Sequence, residues 1–196
     1  MTERKATVAR ETAETNVRVE LNIDGSGQFQ MTTGIRMFDH LLSHLAQHGV
    51  FDIKISASGP DQHHVVEDVA ISLGKAFNQA LGKKQGIVRM AHAVVPMDEA
   101  LAEVAVDIGG RVYSVIEADF DEANIGDLDA DLVRHFLVSL ASEAKINLHA
   151  KVLSGVNDHH KAEALFKALA RALGSATRID ERIAGRVPST KEVIEG

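Results

Sequence analysis

Two stretches of the chain carry residue types that can hold a metal: HHVVE at His63, His64 and Glu67, and HHKAE at His159, His160 and Glu163. The spacing inside each is identical, and each first histidine follows a glycine by four residues, Gly59 and Gly155. Both run on into alanine- and leucine-rich sequence of helical period. Side chains three or four residues apart share a helix face, so His63 or His64 can meet Glu67 on one ion. Adjacent histidines diverge by roughly 100° on a helix and rarely serve the same ion. Two metal sites follow, each drawing ligands from both motifs.

An upstream histidine accompanies each motif: His40 precedes His63 by 23 residues and His135 precedes His159 by 24. Six of the ten histidines thus fall at repeat-equivalent positions. One two-fold partition puts His40, His64, Glu67 and His159 on one ion and His135, His160, Glu163 and His63 on the other. Exchange of the two crossing histidines is the alternative. Three imidazoles and a carboxylate leave two open octahedral positions, which suits Mn²⁺ or another first-row divalent ion. His40 faces away from the apolar stripe of its helix, which places its metal toward a subunit boundary. His44, one turn on, is a candidate substrate contact. His48, His92 and His149 read as solvated or core residues.

A second constellation is cationic. Arg89 in GIVR, Arg111 after Gly109-Gly110, Lys167 one turn after Glu163, and Ser189 with Lys191 in PSTK offer the guanidinium, ammonium and hydroxyl groups that bind phosphate. Each also has a plainer reading, Arg89 and Arg111 as surface charges and Lys167 as an i,i+4 partner of Glu163.

The elements that must position these residues occur twice. Ala13 to Met31 reads as a hairpin turning at Asp24-Gly25-Ser26-Gly27. A helix from about Arg36 to Gln47 carries Phe38, Leu41, Leu42 and Leu45 on one stripe and ends at Gly49. Phe51 to Ala57 is a strand, and a helix runs from His63 to about Leu81. The second half reads as strands at Ala100–Asp107 and Arg111–Ala118, a helix at Asp131–Ala144, a strand at Ile146–Leu153 and a helix at His159–Ala176. This predicts an α+β fold made by internal duplication of a β-β-α-β-α unit, two sheets each covered by a helix pair. The halves span about 8–90 and 91–178 of a single domain, 1–196. Gly82–Glu99 and Asp119–Asp129 read as irregular connections, and 184–196 as a tail.

With 45% apolar residues the chain can bury a core. Its lack of cysteine excludes disulfides and thiolate metal sites. A net charge of -7 without a basic run argues against nucleic acid or an anionic membrane as partner. The polar N-terminus and the lack of a long apolar run give a cytoplasmic expectation.

FDHLLSHLAQHG, HHVVEDVAISLG, GIVRMAHAVVPMDEAL, VDIGGR, NDHHKAEALFKALARAL and PSTK resemble the imidazoleglycerol-phosphate dehydratases of histidine biosynthesis, from RETAET to PSTK. The resemblance implies a fold like the second domain of ribosomal protein S5, two Mn²⁺ per active site, and homo-oligomeric octahedral shells of about 24 subunits. It implies metal ligation by His40, His63, His64, Glu67, His135, His159, His160 and Glu163, and phosphate binding by Arg89, Arg111, Lys167, Ser189 and Lys191. It brings Glu14 to the substrate and makes the tail a substrate-covering segment. The loop SGPDQHH, the triplet Ile108-Gly109-Gly110 and the tail STKEVIEG depart from the usual family pattern.

The implied reaction is dehydration of D-erythro-imidazole glycerol phosphate to imidazole acetol phosphate. A metal-stabilised imidazolate expels the hydroxyl, a diazafulvene-like intermediate loses an adjacent proton, and the enol tautomerises. Glu14, Glu67 and Glu163 are the candidate proton carriers. The competing expectations are a binuclear metal hydrolase of a phosphorylated small molecule and a non-enzymatic metal-linked shell.

Overall fold

Alternation of apolar and polar residues and the 3.6-residue apolar stripes fold the chain into ten strands and four long helices, seen in a computed structural model that describes residues 3–183 and 185–194. Met1, Thr2, Ala184, Glu195 and Gly196 lie outside the described residues, including the ends of the expected domain and tail. The first half contains β1 (Lys5–Glu11), β2 (Asn16–Asn22), β3 (Phe29–Thr32), α1 (Arg36–Gly49), β4 (Asp52–Ser58) and α2 (Gln62–Leu81). The second contains β5 (Met90–Met97), β6 (Ala100–Asp107), β7 (Tyr113–Glu117), the two-residue strands β8 (Asn124–Ile125) and β9 (Leu128–Asp129), α3 (Asp131–Ala144), β10 (Asn147–Ser154) and α4 (Asp158–Thr177).

The duplicated α+β architecture stands, and two details of its unit differ from the sequence reading. Each half opens with a further strand, β1 and β5, so that Met90–Met97 is a strand and not an irregular connection. The expected hairpin between β2 and β3 does not form. The sheets run β1-β2-β4-β3 and β5-β6-β10-β7, so β4 and β10 are inserted between strands adjacent in sequence. β3 and β7 pair parallel with the inserted strand, because each reaches it through a helix crossover. The true hairpins are β1 with β2 and β5 with β6.

The helix pair of each half covers the inner face of its own sheet, and the pairs meet, α1 on α4 and α2 on α3. Phe38, Phe136 and Phe166 interlock by edge and stacked contacts in that interior. α4 is buried nearly all round, with Ala162, Ala164, Ala168, Ala170, Ala172 and Ala176 letting neighbours approach closely. Glycine serves the same end: a Cβ on Gly174 would sit 2.8 Å from the Gly49 carbonyl oxygen, and one on Gly74 2.7 Å from that of Leu140. Gly49 belongs to α1, and the left-handed residue that ends the helix is Val50, φ 59°. Lys145, φ 57°, ends α3 in the same way. These contacts hold α1 parallel to α4 and α2 parallel to α3, with their N-terminal turns together.

Candidate functional site

The N-terminal turns of the four helices carry all eight expected ligands. α2 starts on Asp61, whose carboxylate accepts the His64 amide at 3.0 Å, and α4 starts on Asn157, whose side chain accepts the His159 and His160 amides. α1 takes its cap from another element: the amides of Arg36 and Met37 donate to the Asp127 carboxylate, in the turn between β8 and β9, at 3.0 and 2.8 Å.

Helix pairing sorts the ligands into two clusters, and the sorting corrects the expected partition. His40 Nε2 and His159 Nε2 both lie 2.8 Å from Glu163 Oε1. His63, Glu67 and His135 form the other cluster, their donor atoms within 4.8 Å of one another. Each upstream histidine therefore joins the HHxxE motif of the opposite half, because α1 lies on α4 and α3 on α2. The pairing of His40 with Glu67 and of His135 with Glu163 does not occur. The first histidine of each pair stays with its own glutamate, as i,i+4 geometry allows.

The second histidines turn away from both clusters. His64 Nδ1 lies 2.7 Å from Asp61 and its Nε2 3.2 Å from Glu14; His160 Nδ1 lies 2.7 Å from Glu99 and its Nε2 3.7 Å from Asp98. The hydrogen bond to Asp61 raises the His64 pKa, and the one to Glu99 raises that of His160. Glu99 is held down to about 2, first by the Asn157 amide and then by His160. The carboxylates fix each ring through Nδ1, the arrangement that orients metal-binding imidazoles.

Further groups distinguish the two clusters. Glu163 is buried, which raises its pKa, but hydrogen bonds from Lys167, His40 and His159 outweigh burial and hold it at about 2. Lys167 Nζ lies 2.6 Å from Glu163 Oε2, so the i,i+4 reading of that pair is correct. His44 Nε2 is 3.1 Å from the same oxygen, and burial lowers its pKa to about 4, leaving a neutral imidazole at neutral pH. In the other cluster His135 Nε2 is buried without a hydrogen-bond partner among the described residues, 3.6 Å from Glu67 Oε1.

The remaining cationic candidates gather elsewhere. Arg89 forks onto Asp107 at 2.7 and 3.0 Å and donates through Nη1 to the Pro188 carbonyl at 2.7 Å. It thereby ties the tail with Ser189 and Lys191 to β6. The Arg89 amide donates to the Ala176 carbonyl, in the last turn of α4, so this group sits about 25 Å along α4 from His159 at 1.5 Å rise per residue. Exposed Arg111 lies at the same end, its carbonyl held by Asn147. The chain brings Lys167 to a ligand cluster and leaves Arg89, Arg111, Ser189 and Lys191 at the far end.

Residues 33–173 match the family model described as imidazoleglycerol-phosphate dehydratase. The chain belongs to the imidazoleglycerol-phosphate dehydratase family. It is 58% identical to the imidazoleglycerol-phosphate dehydratase of Dehalococcoides mccartyi strain 195, with all of both chains covered. It is 53% identical to that of Methanothermobacter thermautotrophicus, covering 97% of this chain and 98% of the relative. Among solved structures, IGPD from Pyrococcus furiosus in complex with (S)-C348 superposes with a TM-score of 0.83 at 35% identity, over 95% of this chain and 99% of that one. The Staphylococcus aureus dehydratase gives 0.82 at 31% identity, over 90% and 99%. The family is one of hydro-lyases, and its duplicated fold is the one found here.

Sequence reasoning missed Asp61 and Glu99, which orient the second histidines, and Asp127, which caps α1. Asp61 stood in plain view as a helix-start residue three before His64. Glu99 had no such signal, because its meeting with His160 depends on the β5–β6 hairpin. No helix among the described residues is long and apolar enough to cross a membrane.

Proposed function

We propose that this chain catalyses the metal-dependent dehydration of D-erythro-imidazole glycerol phosphate to imidazole acetol phosphate, a step of histidine biosynthesis, as a cytoplasmic homo-oligomer. Membership of the dehydratase family supports the reaction. The observation that carries the metal reading is the pair of His/His/Glu clusters, above all the buried His135 Nε2, which faces Glu67 and has no hydrogen-bond partner among the described residues. A buried unpaired ring nitrogen is costly, and a cation satisfies it. The donor set is all nitrogen and oxygen, which fits Mn²⁺ or a similar divalent ion. His40, His159 and Glu163 would hold one ion and His63, His135 and Glu67 the other.

When bound, two cations supply the charge that lets the substrate's imidazole ring lose its N–H proton at neutral pH. The protein's own residues do the rest. The ring expels the hydroxyl on the attached carbon, the neighbouring carbon gives up a proton, and together these make the water that leaves. The resulting enol becomes the ketone. Glu14, beside His64 Nε2, is the exposed carboxylate placed to exchange those protons, and the cluster carboxylates Glu67 and Glu163 are the other candidates. Neutral His44 offers a ring nitrogen at the Glu163 cluster, and Lys167 offers an ammonium to the substrate phosphate.

The partners follow from what one chain leaves apart. His64 and His160 are oriented by carboxylates yet reach neither cluster of their own chain, and Arg89, Arg111, Ser189 and Lys191 lie about 25 Å down α4. Neighbouring copies in a closed homo-oligomer, in the octahedral form the family resemblance implies, would supply the fourth imidazole and the phosphate grip. Turnover by protein stripped of metal and reloaded with Mn²⁺ tests the proposal. Ketone formed only after reloading is expected. Release of inorganic phosphate in its place, or no turnover with two metals bound per chain, would overturn it.

A further inference from the structure

The two β-hairpins present carboxylates to the two outward histidines by different devices. The β5–β6 turn is two residues, Asp98 and Glu99, and Glu99 ties it to the residues that lead into α4: its Oε1 accepts the amides of Val156 and Asn157 at 3.2 and 2.8 Å. The β1–β2 turn is four residues, Thr12 to Thr15, with Glu14 exposed on it. Its anchor lies beneath. Asp68, only 6% exposed, accepts Arg10 Nε at 2.7 Å on one oxygen and the Thr15 hydroxyl on the other. Thr12 Oγ1 lies 3.2 Å from Thr15 Oγ1 and accepts the amides of Glu14 and Thr15 at 3.1 and 2.9 Å. The chain of contacts runs unbroken from Asp68 to the backbone of Glu14.

Asp68 follows the ligand Glu67, but the ligand frame does not require it. The equivalent residue after Glu163 is Ala164, fully buried, in the half whose short turn is held by Glu99. We propose that Asp68, through Thr15 and Thr12, is a positioning residue for Glu14 in the dehydration, an inference that rests on the dehydratase reading above. A carboxylate on a four-residue turn is free to swing. Buried charge-assisted bonds to Asp68 confine its backbone beside His64, where a displacement on the order of 1 Å would cost about a hundredfold in rate.

The test uses the Mn²⁺-loaded assembly and five variants: Asp68→Asn, Thr15→Val, Thr15→Ser, Glu14→Gln and the double variant Asp68→Asn/Glu14→Gln. Asp68→Asn and Thr15→Val should lower kcat roughly tenfold to a hundredfold, with KM, bound Mn²⁺ and particle size kept. Thr15→Ser, which keeps the hydroxyl, should restore kcat. In the Glu14→Gln background Asp68→Asn should have no further effect. A loss in the double variant equal to the product of the single losses would overturn the proposal, as would wild-type kcat in Thr15→Val. Loss of metal or assembly in both Asp68→Asn and Thr15→Val would assign Asp68 a structural role instead. Failure of the wild-type chain to form ketone would sink the dehydratase reading itself, a result separate from any of these.

Discussion

The two halves share a ligand frame and differ in what surrounds it. His40 and His135, His63 and His159, His64 and His160, and Glu67 and Glu163 correspond pair by pair. Around Glu163 stand Lys167 and His44; at the matching positions around Glu67 stand Ile71 and Ser139. The first half in turn has the long β1–β2 turn with Glu14 and its Asp68 anchor, where the second has the short turn of Asp98 and Glu99. The duplicated unit presents two equivalent His/His/Glu clusters. The halves differ in that an ammonium and a neutral imidazole stand at one cluster and the exposed carboxylate of Glu14 stands near the histidine that turns from the other. On the proposed reaction that difference suits an asymmetric substrate, whose two ring nitrogens would meet equivalent clusters while its phosphate and reacting carbons would not.

The comparison breaks most severely if the shared frame is cut. Glu163→Gln and Glu67→Gln should each lower activity by roughly 10²–10⁴-fold, measured as ketone formed per chain, since the proposed reaction uses both clusters. A variant of either residue with wild-type turnover would mean that one cluster is only structural. Removing the orienting carboxylates acts less strongly. Asp61→Ala and Glu99→Ala should each weaken Mn²⁺ binding about 10–100-fold, read by titration of the metal-stripped protein.

The asymmetry can be sharpened by exchange. Lys167→Met should strengthen cation binding at the Glu163 cluster by about tenfold, because a charge-assisted hydrogen bond no longer competes for that carboxylate, while raising KM for the phosphorylated substrate. Ile71→Lys should weaken the Glu67 cluster by a similar factor. Equal affinities of the two clusters in the unaltered protein would remove the distinction.

The smallest effects are in proton titration. In metal-free protein, His64 and His160 should titrate above the ordinary histidine value, and His44 at about 4, followed by their ring resonances. A raised histidine pKa means that the folded state gains stability below the unfolded value, lost as pH rises through the folded one. Glu163 has the opposite sign. Its depressed pKa contributes stability above the ordinary glutamate value, lost as pH falls from about 4.5 toward about 2.

Much of this was legible in the sequence, for reasons that can be named. The repeated HHxxE motif singled out both glutamates and their histidines but left open whether His63 or His64 shares a cluster with Glu67, and the apolar stripes located all four long helices. What could not be read was pairing. Strand order depends on β4 and β10 inserting between sequence neighbours, so Ala13–Met31 looked like a hairpin when its two strands lie apart. KATVARE and MAHAVVPM alternate weakly in hydrophobicity, with only Val8 buried in the first and no residue buried in the second, so β1 and β5 escaped notice. The clusters follow the α1–α4 and α2–α3 contacts, which lie beyond any local pattern; hence the partition of ligands was crossed.

One measurement bears most directly on the claim that the working site is built from several copies. Glu163→Gln chains would lose one of the two His/His/Glu clusters and Lys191→Ala chains the proposed phosphate contact at the far end. They would be stripped of metal, mixed, reloaded with Mn²⁺ and assayed for ketone. A composite site predicts activity well above the sum of the two parents, because mixed assemblies bring an intact cluster of one chain to an intact tail of the other. Activity that stays at that sum, in particles shown to contain both chains, would contradict it and return the whole site to a single chain.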